Sequence, residues 1–158
     1  MNNICFVSSP VGVLEIQDDG ACLTVVRFAP AGTAASAPNS PVARLAARQL
    51  QAYFAGTLTR FSVPLALAGT PFQQAVWRAL LDIPYGQTRS YGQIAAAINR
   101  PRACRAVGMA NNKNPICILV PCHRVIGAGG NLTGYAGGLT IKEWLLSHER
   151  ATVKKSCK

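Results

Sequence analysis

Ser90-Tyr91-Gly92-Gln93-Ile94-Ala95-Ala96-Ala97-Ile98-Asn99-Arg100-Pro101-Arg102-Ala103-Cys104-Arg105-Ala106-Val107 reads as two short helices with a tight break between them. Ser90 followed by Gln93 makes a capping box, which opens the first helix through Ile94 and Ile98. Asn99-Arg100-Pro101 interrupts it, and Pro101, suited to a first helical turn, starts the second helix. At about 3.6 residues per turn, Ala103, Ala106, Val107 and Ala110 share one narrow stripe and are expected to face the protein. Arg105 lies opposite that stripe with Arg102 beside it, so guanidinium groups face outward. The layout is that of a helix–turn–helix, whose outer arginines meet either nucleic acid or plain solvent.

Flanking segments extend this into a mostly helical second half. Thr70, Pro71 and Gln73 form another capping box, followed by inward-facing Phe72, Val76 and Leu80. Thr140 with Glu143 is expected to cap a last helix, with Leu139 and Trp144 as its hydrophobic staple and Ile141, Trp144, Leu145 and His148 buried. The tail from Ala151 is expected to be mobile. Between these helices runs Ile116-Cys117-Ile118-Leu119-Val120, apolar throughout and bounded by Pro115 and Pro121, which predicts a buried strand. It delivers Pro121-Cys122-His123-Arg124-Val125 to its exit.

The first half reads differently. Residues 4–28 alternate apolar and polar, with turns at Gly12 and Asp18-Asp19-Gly20, and predict a hairpin or meander. Residues 29–41 form a loop, and a helix follows from Pro41 to Phe54 with Val42, Leu45, Ala46, Gln49 and Tyr53 on one face, stopped at Gly56. Residues 57–68 are expected to be extended. The domains predicted are therefore 1–68, a small α/β structural domain, and 69–158, a mostly α domain carrying the helix–turn–helix.

Composition limits the function. Among 158 residues, 49% are hydrophobic and 14% charged, which suits a compact core and not a disordered chain. The net charge of +10 is uneven. Residues 1–68 carry four arginines against three carboxylates, whereas residues 69–158 carry twelve Lys and Arg against three. That excess suits a polyanion partner, or a solubilising surface. No apolar run is long enough to span a bilayer, and no basic leader opens the chain, so a cytoplasmic setting with six reduced cysteines (5, 22, 104, 117, 122 and 157) is expected. Two histidines without zinc-site spacing predict no metal. The glycine-rich stretch 127–138 lacks a phosphate-loop pattern, so no nucleotide cofactor is expected.

A cysteine beside His123 and Arg124 is a candidate nucleophile, because nearby positive charge favours thiolate, though a structural thiol has the same appearance. Glu149 is a candidate to orient His123, or a solvated helix-end carboxylate.

These residues resemble the O6-alkylguanine-DNA alkyltransferases. The resemblance covers about residues 70–150: Pro71-Phe72-Gln73, Val76-Trp77, Ile83-Pro84-Tyr85-Gly86-Gln87-Thr88, Ser90-Tyr91, Ala103 to Gly108, Asn114-Pro115, Pro121 to Val125, Tyr135-Ala136-Gly137-Gly138, and Lys142 to Leu146 with His148-Glu149. The first half matches loosely, mainly in Gln51 to Gly56. The resemblance implies a ribonuclease-H-like first domain and direct reversal of DNA damage. Cys122 would take the alkyl group from O6-alkylguanine, with O4-alkylthymine as a second substrate, in a single irreversible turnover. His123 would relay the proton through water with Glu149 behind it, and Tyr91 would polarise or protonate the leaving guanine at its ring N3. Arg105 would replace a flipped nucleotide in the stack, with Arg102, Ser90, Ala103 and Tyr91 on double-stranded DNA through its minor groove, independent of sequence. Val125, Tyr135, Ala136, Asn114 and Cys117 would line the pocket, with the carbonyls at Cys122 and Val125 and the amide at Ala136 holding the base. Many relatives carry Ser at position 136; Ala keeps the amide. A monomer in solution is implied, with cooperative loading on DNA open. Alkyltransferase-like proteins share the DNA-binding architecture but lack the nucleophile, which Cys122 supplies here.

Overall fold

The computed structural model describes residues 2–156 and divides the chain into two compact units, Met1–Leu67 and Ala68–Lys158. In the first, β1 (Asn3–Ser9), β2 (Gly12–Asp18) and β3 (Leu23–Phe28) form an antiparallel meander in the order β1-β2-β3. Alternate residues Cys5, Val7, Leu14 and Ile16 are buried, and α1 (Pro41–Phe54) shares this core. The face α1 buries is Val42, Ala43, Ala46, Ala47, Leu50 and Tyr53, rotated from the expected one. Leu45 and Gln49 are only half-buried, and Gln49 bonds Ser62 instead. The buried carboxylate of Asp18 accepts from Ser40, the α1 N-cap, which holds the helix start on the sheet. The extended segment near Pro64 adds to the end of β3 through Leu23.

In the second unit, α2 (Pro71–Leu81) and α3 (Tyr91–Ala97) both begin with the expected capping boxes, Thr70 with Gln73 and Ser90 with Gln93. The next helix, α4 (Cys104–Asn112), starts three residues later than expected. Pro101 and Arg102 lie in a turn, because the Ala103 amide bonds back to the Arg100 carbonyl. The α4 core face is correspondingly Val107, Ala110 and Asn111, while Ala106 is exposed. Trp77 donates its indole N–H to the Ala110 carbonyl at 2.9 Å and ties α2 to α4.

Two further corrections concern the last helix, α5 (Leu139–Ser156). It already includes Leu139, so Thr140 sits inside the first turn and cannot be the N-cap, and Leu139 is an exposed helical residue, not the residue before a cap. The helix also runs on past Ala151: a Cβ at Gly86 would lie 2.6 Å from the Val153 side chain, so that glycine allows the close approach. Cys157 lies outside the described residues. Among the described residues no helix is long and apolar enough to cross a membrane.

Candidate active site

The five residues Ile116 to Val120 are all buried, as expected, yet they form a tight turn and not a strand. Ile118 has φ 74°, and the amides of Leu119 and Val120 bond back to Cys117 and Ile116. Asn114 explains the turn: its amide donates to the Val120 carbonyl at 2.8 Å and its oxygen accepts from the Ile116 N–H. A buried strand and a buried turn present the same apolar run, and only the Asn clasp separates them.

This clasp delivers Cys122 into a single 3-10 turn, Cys122–Arg124, followed by β5 (Val125–Ile126). Strand β5 pairs in parallel with β4 (Arg89–Ser90), so the first residues of the helix–turn–helix lie beside the cysteine turn. Cys122, 3% exposed, has its thiol pKa drawn down. The largest cause is a hydrogen bond from the Cys117 thiol; burial opposes it, and the Asn114 side chain and the Lys142 charge assist. Cys117 is pushed well up by the same contact. The charge acting on the thiol is therefore that of Lys142, and not of the sequence neighbours His123 and Arg124 as expected.

Those neighbours turn to Glu149 instead. Arg124 grips it in bidentate fashion, Nε to Oε1 at 2.9 Å and Nη2 to Oε2 at 3.1 Å, and donates Nη1 to the Ile83 carbonyl. His123 Nε2 lies 2.7 Å from Glu149 Oε2, and the Gly86 amide donates to Oε1. Burial pulls the Glu149 carboxyl upward, but His123 and Arg124 together hold it far below the usual carboxylate range. Burial draws His123 down, against the pull of Glu149. Glu149 is thus ionised and only accepts, so the neutral ring of His123 donates from Nε2. The lone pair at Nδ1 is left as a base, and Nδ1 is buried without a hydrogen-bond partner among the described residues.

Lys142 is wholly buried, and its ammonium donates to the Val125 carbonyl at 2.6 Å and the Thr133 carbonyl at 2.7 Å. It pins the glycine-rich loop to the cysteine turn. Tyr91 closes the loop from the other side, its hydroxyl 2.8 Å from Thr133 Oγ1. Gly134 takes a positive φ, and a Cβ there would meet the Asn112 side chain at 3.2 Å. Asn111 donates to the Cys122 carbonyl at 3.3 Å.

The structure thus brings Cys122, Cys117, Asn114 and Val125 together, and sets His123 on Glu149. Tyr135 is half-buried and Ala136 exposed on the loop. Arg105 and Arg102 are exposed on or before α4, while Ser90, Tyr91 and Ala103 are half-buried. The Cys122 carbonyl already accepts from the Asn111 side chain and from the Val125 amide, and the Val125 carbonyl accepts from Lys142. Sequence reasoning missed Lys142 and Asn111, and it set the charge of Arg124 on the thiol where the structure sets it on Glu149. Lys142 carried one usable signal: it lies three and seven residues before Leu145 and Glu149, on their side of the helix.

Two family models cover the chain. The 6-O-methylguanine DNA methyltransferase DNA-binding domain matches residues 71–151, and the ribonuclease-like domain of the same family matches residues 5–67. The chain belongs to the 6-O-methylguanine DNA methyltransferase family. A methylated-DNA–protein-cysteine methyltransferase of Methanosarcina acetivorans is 55% identical over 146 residues, spanning 89% of this chain and 94% of the relative. The crystal structure of Mycobacterium tuberculosis O6-methylguanine methyltransferase is similar at a TM-score of 0.87 and 50% identity, covering 96% of this chain and 94% of that one. The Mycobacterium tuberculosis OGT solved in complex with DNA matches at 0.86 and 52%, covering 93% and 92%.

Proposed function

We propose that this protein repairs DNA by direct reversal, moving the alkyl group of O6-alkylguanine, and of O4-alkylthymine, onto Cys122 in one irreversible turnover. The observation that carries this is a buried thiol whose neighbours favour thiolate, set beside a helix–turn–helix in a chain of this family. The sulfur attacks the alkyl carbon; the S–C bond forms as the C–O6 bond breaks, and the electron pair passes to the purine. The thiol proton leaves by way of water to His123 Nδ1, while Arg124-held Glu149 fixes the ring and steadies its cation. Tyr91 supplies a proton to the departing base at ring N3. The thioether is a poor leaving group, so each molecule acts once.

A duplex hides O6 from a buried thiol, so the nucleotide must rotate out of the stack. Arg105, exposed on α4 and opposite its core face, is suited to fill the gap from the minor groove, with Arg102, Ser90, Ala103 and Tyr91 on the backbone. Val125, Tyr135, Ala136, Asn114 and Cys117 line the pocket. Contacts of this kind read no sequence and weaken with salt. The protein works as a monomer in the cytoplasm, on the nucleoid in a prokaryote.

The test is repair of a duplex carrying one O6-methylguanine. Wild-type protein should restore guanine in proportion to the protein added. Cys122→Ala should bind the same duplex and restore none. Repair by that variant refutes the assignment.

A further inference from the structure

The glycine-rich loop sets one hydroxyl against the site. Thr133 Oγ1 lies 2.8 Å from the Tyr91 hydroxyl, in hydrogen-bond contact. Both ends of this contact are fixed. Tyr91 is the first residue of α3, directly after the Ser90 N-cap, and its ring lies alongside α4: a Cβ on Gly108 would stand 3.7 Å from it. Thr133 is held through its own backbone, because its carbonyl accepts from the buried Lys142 ammonium at 2.7 Å. Gly134, next along the loop, abuts the Asn112 side chain. Thr133 itself is exposed, so its side chain fills no core. A loop that only leaves room for a base needs no hydroxyl at this point.

We infer that Thr133 is a positioning residue for the leaving-group step: its hydroxyl aims the Tyr91 phenol at the flipped base and donates to the phenol oxygen as the proton passes to ring N3. This deepens the proposed function and rests on it. Each hydroxyl carries one hydrogen and two lone pairs, and the hydrogen turns to suit its neighbours. Without substrate, either oxygen donates to the other. When the base presents N3, the phenol hydrogen gains a new acceptor, and the Thr133 hydrogen turns onto the phenol oxygen. As the S–C bond forms and the C–O6 bond breaks, the electron pair moves into the purine. N3 gains the Tyr91 proton, and negative charge builds on the phenol oxygen. A hydrogen bond to a charged oxygen is about twice as strong as one between neutral groups. The Thr133 contact therefore tightens in the transition state, which is where a contact adds to the rate. The proton count closes through solvent, which restores the Tyr91 proton and takes up the one that His123 received from the thiol.

Thr133→Val keeps the shape and the carbonyl that Lys142 holds, and removes only the hydroxyl; Thr133→Ser keeps the hydroxyl. The full chain is assayed for single-turnover transfer from an O6-methylguanine duplex at saturating protein, and for duplex affinity by fluorescence anisotropy. Methylation of Cys122 by iodomethane, whose leaving iodide needs no proton, is followed by peptide mass. Thr133→Val should lower the saturated transfer rate by about tenfold, the worth of one hydrogen bond to a developing charge. Its duplex affinity and its iodomethane reaction should match wild type. Thr133→Ser should transfer at nearly the wild-type rate. In a Tyr91→Phe background Thr133→Val should cost nothing further, because the oxygen it serves is gone. Thr133→Ala gives the same comparison should Thr133→Val misfold. An unchanged or faster transfer rate in Thr133→Val would overturn the inference. So would an equal loss in the Tyr91→Phe background or in the iodomethane reaction, which would leave Thr133 a support of the loop and nothing more. If wild type transfers no methyl from the duplex while iodomethane still marks Cys122, the functional reading fails instead, whatever Thr133 does.

Discussion

Glu149→Gln isolates the charge at the centre of the buried cluster while keeping its shape. The carboxylate is 1% exposed and accepts from Arg124 Nε and Nη2, His123 Nε2 and the Gly86 amide. All its partners are donors, so the new amide group faces a donor whichever way it turns. The Arg124 charge stays buried and loses its partner. Breaking one side of a buried pair costs about 3–5 kcal/mol, a large part of the roughly 5–15 kcal/mol that holds a domain folded. At about 4–8 °C per kcal/mol for a domain of this size, Tm should fall by about 12 °C or more. The pH dependence carries the sign. The folded-state pKa of Glu149 is depressed below its ordinary 4.5, so its stabilisation is present above that value and is lost as pH falls through the acid range. Burial also holds His123 below its ordinary 6.5, so its contribution likewise weakens as pH drops under that value. Calorimetric melts of wild type from about pH 7 to about pH 3 should therefore slope steeply downward, and Glu149→Gln should lose the lower part of that slope. A variant melting within about 2 °C of wild type, with the same acid slope, would refute the reasoning.

Arg105→Ala should slow repair in duplex DNA far more than reaction with a free alkylated base, measured by single-turnover kinetics on both; equal slowing contradicts the flipping role. Tyr91→Phe removes the proton donor and should lower the transfer rate by about tenfold or more, toward the roughly 10²–10⁴ range of general acid catalysis. Its duplex affinity, read by fluorescence anisotropy, should change little. Lys142→Met leaves the buried Val125 carbonyl without its donor, at about 1–3 kcal/mol, and frees the part-buried Thr133 carbonyl. It also withdraws the charge that favours the Cys122 thiolate, so the pH–rate profile should move to higher pH.

How much of this was legible depends on how local the signal is. The capping boxes at Thr70 and Ser90 are fixed by residues three apart, and both helices start where they point. The meander follows from period-two alternation. The failures share a different cause. Ile116 to Val120 carries an unbroken apolar signal that records burial and not direction, and its geometry is decided by the Asn114 side chain reaching six residues onward. Thr140 and Glu143 match a cap that the chain does not use, because α5 begins at Leu139 and its first turn must place Lys142 under the Val125 carbonyl. Only the fold shows that Lys142 has two carbonyls waiting for it. The His123–Glu149 contact joins residues 26 positions apart, so the sequence offered both partners and could not measure their separation.

The most direct test of the central claim is intact mass followed by peptide mapping, after incubation with excess O6-methylguanine duplex. The account predicts one added methyl per molecule, located on Cys122, and no second addition at any excess of DNA. Repaired DNA with the protein mass unchanged, or a methyl on any other residue, contradicts it.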